Sequence, residues 1–395
     1  MGGRHHGALP LLVLLIGGVI MATLLAAQGR LGLRPPAGEN ATLAELSPRY
    51  LPPLTDRAVT GLLALAMIGW FGFNIGLGGG AVAALTGMPD GAGVLLLTLP
   101  IVAVLLKGGG NWNAVALVTT LTAIALIAVV AVRLAPSAPP VTLAPDGPPL
   151  VLIADLAGYI GYVSVFAVRA PDFTVGLRGR RDLWWCVGLL VVPALAASIV
   201  GAGLAASSGS TDVVAVLAGP DGLPVANLFV AAAVIAPTLA AVHSGVFAVR
   251  RFAPRLPPAY AVLAIAVPGA VLAAMRVDRL LLDWLTLLAA TLPALIPPMT
   301  AEALRRRRTR ALAAVGVRTS SAPEDGPTPT EPPAAPGRHV PTGRHVSSWL
   351  WAPGAALALT LTLAGFAAAA PVGLVVSALA TVAHSFLAKR RGIRS

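Results

Sequence analysis

The sequence contains few charged residues, few aromatic residues and a single cysteine. Asp, Glu, Lys and Arg make up only 11% of the 395 residues, whereas 56% are hydrophobic, and the mean hydropathy is +0.82. A water-soluble domain of this length carries more charge, so the composition excludes that class and predicts an integral membrane protein. Cys186 has no second cysteine to pair with, which excludes an intramolecular disulfide and a cysteine-based metal cage.

The residues that are present favour helices over a membrane β-barrel. Aromatic residues make up 5% of the chain, and Ala, Gly and Val are abundant, as in tightly packed membrane helices. A net charge of +12 is also typical of nucleic-acid-binding proteins. The basic residues cluster beside apolar segments, however, which is the positive-inside pattern of membrane proteins, so we expect no nucleic-acid partner.

Apolar windows of about 20 residues, the length that crosses a bilayer as a helix, predict eleven spans. They lie near residues 8–28, 58–86, 92–106, 113–133, 149–170, 183–206, 225–249, 257–275, 280–300, 348–366 and 369–388.

Loop charge predicts the orientation of these spans. Basic residues follow the first, third, fifth, seventh and ninth spans and the last one, with Lys107 alone after the third, so the positive-inside rule places these loops and the C-terminus in the cytoplasm. Eleven spans then place Met1 outside, as in a chain without its first helix.

A proline-rich segment divides the chain. Residues 311–347 combine Pro with Ser, Thr, Glu and Gly, a composition that cannot bury a core. We therefore expect a nine-span transporter core at 1–310, a disordered cytoplasmic linker at 311–347 and a two-helix C-terminal appendage at 348–395.

The fifth predicted span contains two glycines near its middle. Gly158 and Gly161 lie between Asp155 and Pro171, and Pro171 is expected to end the helix. Each glycine weakens a helix by about 1 kcal/mol relative to alanine. Two interpretations are open: an unwound turn whose freed backbone groups hold a ligand, as in transporters, or small residues that let two helices pack closely.

Trp70 and Asn74 stand four residues apart in the second span and therefore share a helix face. An indole offers a stacking platform worth about 0.5–1.5 kcal/mol beyond burial, and a carboxamide both donates and accepts hydrogen bonds. The pair suits a planar heterocycle with donors and acceptors. The alternative is a tryptophan packed between helices with an asparagine bonding across them.

Three ionisable residues, Asp155, His243 and Asp283, fall within predicted spans. Such groups cost about 2.5–3.5 kcal/mol on insertion scales and are functional candidates for that reason. His243 shares its span with Thr238, which favours either a proton or cation role or an interhelical hydrogen bond. Asp283 lies four residues from Arg279 and is predicted to pair with it.

Enzyme motifs are absent from the sequence. It has no His-Glu-x-x-His zinc helix, no Gly-x-Ser-x-Gly elbow, no phosphate-cradling Gly-x-x-x-x-Gly-Lys loop and no Cys-x-x-Cys pair. We therefore expect no enzymatic activity, no metal centre and no cofactor.

Together these features resemble the nucleobase:cation symporter-1 family, the permeases of cytosine, purines, hydantoins, allantoin and thiamine-precursor pyrimidines. Residues 69–74 (Gly-Trp-Phe-Gly-Phe-Asn) are similar to the family's third helix, where the tryptophan and the amide contact the base. Residues 170–174 (Ala-Pro-Asp-Phe-Thr) are similar to the signature that closes the sixth helix.

The resemblance implies an all-α integral membrane protein, a multi-pass bundle with a leucine-transporter-like five-helix inverted repeat. Broken helices one and six of that fold hold the substrate. The eleven predicted spans would be family helices 2–12, with the first helix absent. Either the start of the sequence has been placed too late, or the protein is a degenerate or repurposed member.

The sequence departs from the family at several positions. The sixth-helix aromatic, a second stacking plate, falls at Val163 with Tyr162 beside it. The eighth-helix asparagine falls near Ala241 or Val242, and the sodium-binding hydroxyls are reduced to Thr238.

The resulting hypothesis is a secondary active transporter of the plasma (inner) membrane that imports a nucleobase-like heterocycle with Na⁺ or H⁺ by alternating access. Its expected partners are this small molecule and the lipid bilayer. The alternatives are an amino acid or amine transporter, and a non-transporting membrane partner or sensor of the same fold. The predicted cation ligand is Thr238, and the predicted substrate contacts are Trp70, Asn74, Gly158, Gly161, Tyr162, Val163, Ser164 and His243.

Overall fold

The computed structural model of the protein describes residues 8–107, 112–143, 148–210, 212–219, 223–320, 349–366 and 368–390. These residues form sixteen α-helices and a pair of two-residue parallel strands, β1 (Leu9–Pro10) and β2 (Val141–Thr142). The helices are α1 (Leu11–Gly32), α2 (Leu43–Tyr50), α3 (Pro53–Thr86), α4 (Asp90–Lys107), α5 (Trp112–Leu134), α6 (Pro149–Val168), α7 (Ala170–Thr174), α8 (Arg180–Ser208), α9 (Val213–Ala218), α10 (Ala226–Ala233), α11 (Ile235–Phe252), α12 (Pro258–Ala274), α13 (Leu281–Thr291), α14 (Ile296–Ser320), α15 (Ala352–Leu363) and α16 (Ala369–Arg390).

Each of the eleven predicted spans corresponds to a helix or to two consecutive helices in the described part of the chain. Eight stretches are long and apolar enough to cross a membrane, and three shorter apolar helices fall at the fifth, eighth and tenth predicted spans. The second span begins earlier than predicted, because Pro53 starts α3 ahead of the charged residues that ended the apolar window. Asp56 of that first turn is 5% exposed and pairs with Arg251 of α11 at 2.8 Å.

Helix α3 is the centre of the bundle and packs against α4, α10, α11 and α12. Its glycines permit this close packing. A Cβ at Gly79 would lie 2.7 Å from the Cα of Val94, and a Cβ at Gly93 would lie 2.2 Å from the carbonyl oxygen of Gly79. Helices α3 and α4 therefore meet backbone to backbone.

Two spans are interrupted in the described part of the chain: Val234 separates α10 from α11, and a 3₁₀ turn at Pro293–Leu295 separates α13 from α14. A further break, at Arg169, separates the end of α6 from the short helix α7. The predicted interruption at Gly158 and Gly161 is wrong, because α6 is one continuous helix from Pro149 to Val168. Two glycines cost less than breaking helical hydrogen bonds in an apolar environment, whereas Pro171 removes a donor and ends the helix.

The two C-terminal helices pack against the rest of the bundle. Helix α15 contacts α13, and α16 contacts α6 and α14. The hydroxyl of Ser377 on α16 donates to the carbonyl of Ala294 at 2.5 Å, beside the interruption between α13 and α14. Helix α14 continues to Ser320, ten residues into the segment predicted as linker, and the rest of that segment lies outside the described residues.

Candidate functional site

The side chain of Trp70 lies near the middle of α3 and is partly buried. Phe73 contacts it with ring centroids 6.3 Å apart at an interplanar angle of 69°. Phe166 of α6 contacts it at 5.9 Å and 61°. Both phenylalanine rings are steeply inclined to the indole, so neither is stacked in parallel on its face.

Asn74 lies one turn from Trp70 and is also partly buried. Its carboxamide makes no hydrogen bond with any described residue, and neither amide atom is among the fully buried polar atoms that lack a partner. The alternative interpretation, an asparagine that bonds across helices, requires a partner on a neighbouring helix. The described chain supplies none.

A second tryptophan completes the aromatic surroundings of Trp70. Trp284 of α13 lies 5.9 Å from Phe73 at 48°. Its ring covers Gly69, where a Cβ would come within 2.4 Å of an indole carbon. We call Trp70, Phe73, Phe166 and Trp284 the aromatic cluster. It joins α3, α6 and α13.

Sequence reasoning missed Phe166 and Trp284 as members of this cluster. Phe166 lies three residues, about one helical turn, after the position where the family resemblance placed an aromatic plate. That position is Val163, which is fully buried in the apolar core. An aromatic residue one turn away was the available signal. The sequence does not indicate that Trp284 contacts Gly69, because the two residues belong to helices that are far apart along the chain.

Of the remaining predicted substrate contacts on α6, only Gly158 is described together with its surroundings. A Cβ at Gly158 would meet no described atom within 4 Å. Among the described residues, Gly158 therefore does not serve close helix packing, the second of the two interpretations offered above. The side chains of Tyr162 and Ser164, and the surroundings of Gly161, lie outside the described residues.

Thr238 lies at the interruption between α10 and α11 and is fully buried. Its hydroxyl donates to the carbonyl of Val234 at 2.5 Å. Thr238 could therefore coordinate a cation only through the lone pairs of its hydroxyl oxygen. Pro237 has no amide hydrogen to donate to the carbonyl of Ala233. No group of three or more His, Cys, Asp or Glu side chains in the described chain is placed to hold a metal ion.

His243 and Asp283 are both exposed in the structure. The imidazole of His243 makes an edge-to-face contact with Phe247, with ring centroids 4.9 Å apart at 88°. The predicted ion pair between Asp283 and Arg279 is wrong. Arg279 belongs to the 3₁₀ turn Val277–Leu280 that precedes α13, so the two residues do not share the α-helical spacing on which the prediction rested.

Residues 171–174, the Pro-Asp-Phe-Thr signature, hold helices together by hydrogen bonds at the end of the bundle where the arginine-rich loops lie. A carboxylate oxygen of Asp172 accepts from the backbone amide of Leu43, the first residue of α2, at 2.8 Å. The hydroxyl of Thr174 donates to the carbonyl of Gly29 in α1 at 2.7 Å. Both contacts tie α7 to the segment around α1 and α2.

Arg169 is 5% exposed and links the same signature to α11. Its guanidinium donates to the carbonyl of Ala240 at 3.1 Å and contacts the hydroxyl of Ser244. Its Nε lies 3.8 Å from a carboxylate oxygen of Asp172, and its charge lies 5.4 Å from the ring centroid of Phe173. The interruption after α6 is therefore also a junction of α7, α2 and α11.

At the opposite end of the bundle, Arg276 adopts a left-handed backbone conformation with φ 58°. Its guanidinium contacts Asp90 and lies 3.1 Å from Asp278, and the hydrogen bond to Asp278 is the main cause that raises its pKa. Arg276 lies over Gly80 of α3 and lines an open cavity of about 340 Å³.

The chain is an all-helical, multi-pass membrane protein, and a match to solved structures shows that its fold is leucine-transporter-like. Two solved structures of Mhp1, a nucleobase-cation-symport-1 family transporter, have this fold. The closed conformation of Mhp1 with bromovinylhydantoin bound aligns with 98% of this chain and 88% of Mhp1, at a TM-score of 0.66 and 18% identity. The inward-facing conformation aligns with 96% and 84%, at 0.61 and 15%.

No protein-family model and no curated protein sequence matches the chain. The resemblance seen in the sequence is confirmed by this structural match over nearly the whole chain. At 15–18% identity the match establishes the fold. Activity and substrate have to be argued from the site.

Proposed function

We propose that the protein is a secondary active transporter whose substrate is a planar nitrogen heterocycle of the nucleobase or hydantoin class. The carrying observation is the Trp70–Asn74 face of α3, where a carboxamide that has no hydrogen-bond partner among the described residues lies one turn from an indole. Trp70 would stack on the ring, and Asn74 would bond to its edge as both donor and acceptor. The hydantoin ligand of Mhp1 belongs to the same chemical class.

The two spans interrupted at Val234 and at Pro293–Leu295 support transport rather than binding alone. In this fold, helix interruptions lie beside the substrate and coupling-ion sites, and one part of the bundle moves against another around them. We place the coupling cation, Na⁺ or H⁺, near Thr238. By the positive-inside rule we assign the end with the arginine-rich loops, and the C-terminus, to the cytoplasm, with the protein in the plasma (inner) membrane.

Purified protein reconstituted into liposomes tests both binding and transport. Radiolabelled cytosine, hypoxanthine and a 5-substituted hydantoin are compared with leucine, in Na⁺ and in choline buffers and with an imposed pH gradient. We expect saturable binding and uptake of at least one heterocycle and none of leucine. Trp70→Ala removes the stacking platform and should weaken heterocycle binding by about tenfold, from a loss near 1.5 kcal/mol.

Trp185→Ala is the matched control, because Trp185 is 65% exposed on α8. It should leave binding unchanged. Competition by amino acids or amines in place of heterocycles would contradict the substrate class. Heterocycle binding without uptake would contradict transport and favour the sensor interpretation.

A further inference from the structure

A small cavity lies at the arginine-rich end, away from the aromatic cluster. It opens between α1 and α14, beside the loop that leads to α2, and has a volume of about 70 Å³. Its polar lining consists of two arginines, a glutamate, a tyrosine and a threonine, namely Arg30, Arg307, Glu39, Tyr50 and Thr300.

The acidic groups around this cavity are matched by other arginines. Glu302 pairs with Arg305 at 2.7 Å and with Arg306 at 2.9 Å. Glu39 accepts from the hydroxyl of Tyr50 at 2.5 Å and lies 3.5 Å from Arg49. The local carboxylates are therefore already neutralised.

Arg30 and Arg307 are left without an acidic partner among the described residues. The Nε of Arg30 is buried and makes no hydrogen bond within the described chain. Arg307 is exposed at the mouth of the same cavity. Two guanidinium groups that line one cavity match the oxygens of a phosphate, to which arginine bonds through two N–H groups at once.

The position of the cavity relates it to the membrane surface. Arg30 lies in the last turn of α1, where the apolar stretch Leu11–Gly32 ends. Arg307 lies near the end of the candidate span Asp283–Thr309, after its apolar part. Leu304, one turn before Arg307, lines the cavity and is 47% exposed, which offers an apolar surface beside the charge.

We propose that this cavity binds the phosphate headgroup of an anionic phospholipid, held by Arg30 and Arg307 with an acyl chain against Leu304. Basic pockets between membrane helices are known recognition sites for such headgroups. A free phosphate ion shares the charge but gains nothing from the apolar rim, so the site favours the lipid.

Native mass spectrometry of the purified full chain tests the proposal without any transport assay. The protein is titrated with phosphatidylglycerol or phosphatidylcholine, and retained lipid is counted. Each arginine near an anionic headgroup contributes about a fivefold gain in affinity, so Arg30→Gln with Arg307→Gln should weaken phosphatidylglycerol binding about 30-fold. Arg307→Gln alone, at an exposed position, should fold normally and weaken binding about fivefold.

Arg308→Gln is the matched control, since Arg308 is an exposed neighbour that does not line the cavity. It should leave lipid retention unchanged. An equal loss in the control would overturn the proposal in favour of general surface charge. Equal retention of the two lipids, or displacement of the lipid by millimolar inorganic phosphate, would overturn it as well.

Discussion

Helices α3 and α6 both carry glycines in mid-span, yet the two helices are held in different ways. Along much of α3, residues of neighbouring segments occupy the space beside its glycines. Trp284 lies over Gly69, Asp278 over Gly76, and Val94 against Gly79. Gly158 of α6 faces open space. Helix α6 is instead fastened beyond its end, where Asp172 bonds to α2.

This difference assigns separate roles to the two helices. A helix packed backbone to backbone holds its side chains in fixed positions, which suits α3 as the platform for Trp70 and Asn74. Helix α6 packs against α1 and α13, and the polar junction around Asp172 anchors the segment after its end to α2. We infer that α3 presents the ligand-binding face and that the junction fixes the position of α6.

The largest expected effect comes from the junction. Asp172→Asn keeps an acceptor for Leu43 but removes the charge beside Arg169, which is 5% exposed. A buried cation left without its partner costs about 3 kcal/mol, so the variant should show a clearly lowered Tm in detergent.

Asp182→Asn is the control for this charge removal, because Asp182 only accepts from the backbone amide of Arg178 at 3.1 Å near the start of α8. It should cost less than about 1 kcal/mol. Equal Tm values for the two variants would show that α7 is not anchored by its charge.

Gly79→Ala should have the next largest effect. The added methyl group would lie 2.7 Å from the Cα of Val94, and a backbone atom cannot rotate away. Overpacking of this kind costs about 1–3 kcal/mol. Gly91→Ala in α4 is the matched control, since its Cβ would meet nothing within 4 Å. A variant at Gly79 as stable as the control would remove the argument that α3 is rigidly packed.

Gly158→Ala should have the smallest effect on stability, and it should stabilise the protein rather than destabilise it. The helix is continuous there and the space is open, so alanine gains up to about 1 kcal/mol of helix propensity. Differential scanning fluorimetry should show a slightly raised Tm. A lowered Tm would mean that Gly158 is needed for an unwound turn or for a close contact after all.

Much of the fold could be predicted from the sequence, because span length and apolar composition report directly on helices in a bilayer. The buried first turn of α3 could not be predicted from the sequence, since the ion pair between Asp56 and Arg251 forms only where α11 packs against α3. The glycine-based interruption of α6 was wrong because helix propensity is a weak term beside backbone hydrogen bonding in an apolar environment.

The candidate site was predictable where its residues are close in sequence. Trp70 and Asn74 follow from one helical turn of spacing. The contribution of Trp284 depends on the packing of α13 against Gly69, which no local pattern reveals. Arg169 was missed for the same reason, since its role follows from contacts with α11.

The affinity of Asn74→Ala for its heterocycle, measured together with its Tm, tests the central claim most directly. If Asn74 serves a ligand, affinity should fall about three- to tenfold, the value of one hydrogen bond, while Tm stays at the wild-type value. If Asn74 holds helices together, Tm should fall and the affinity of the folded fraction should not change. That second result would contradict the account.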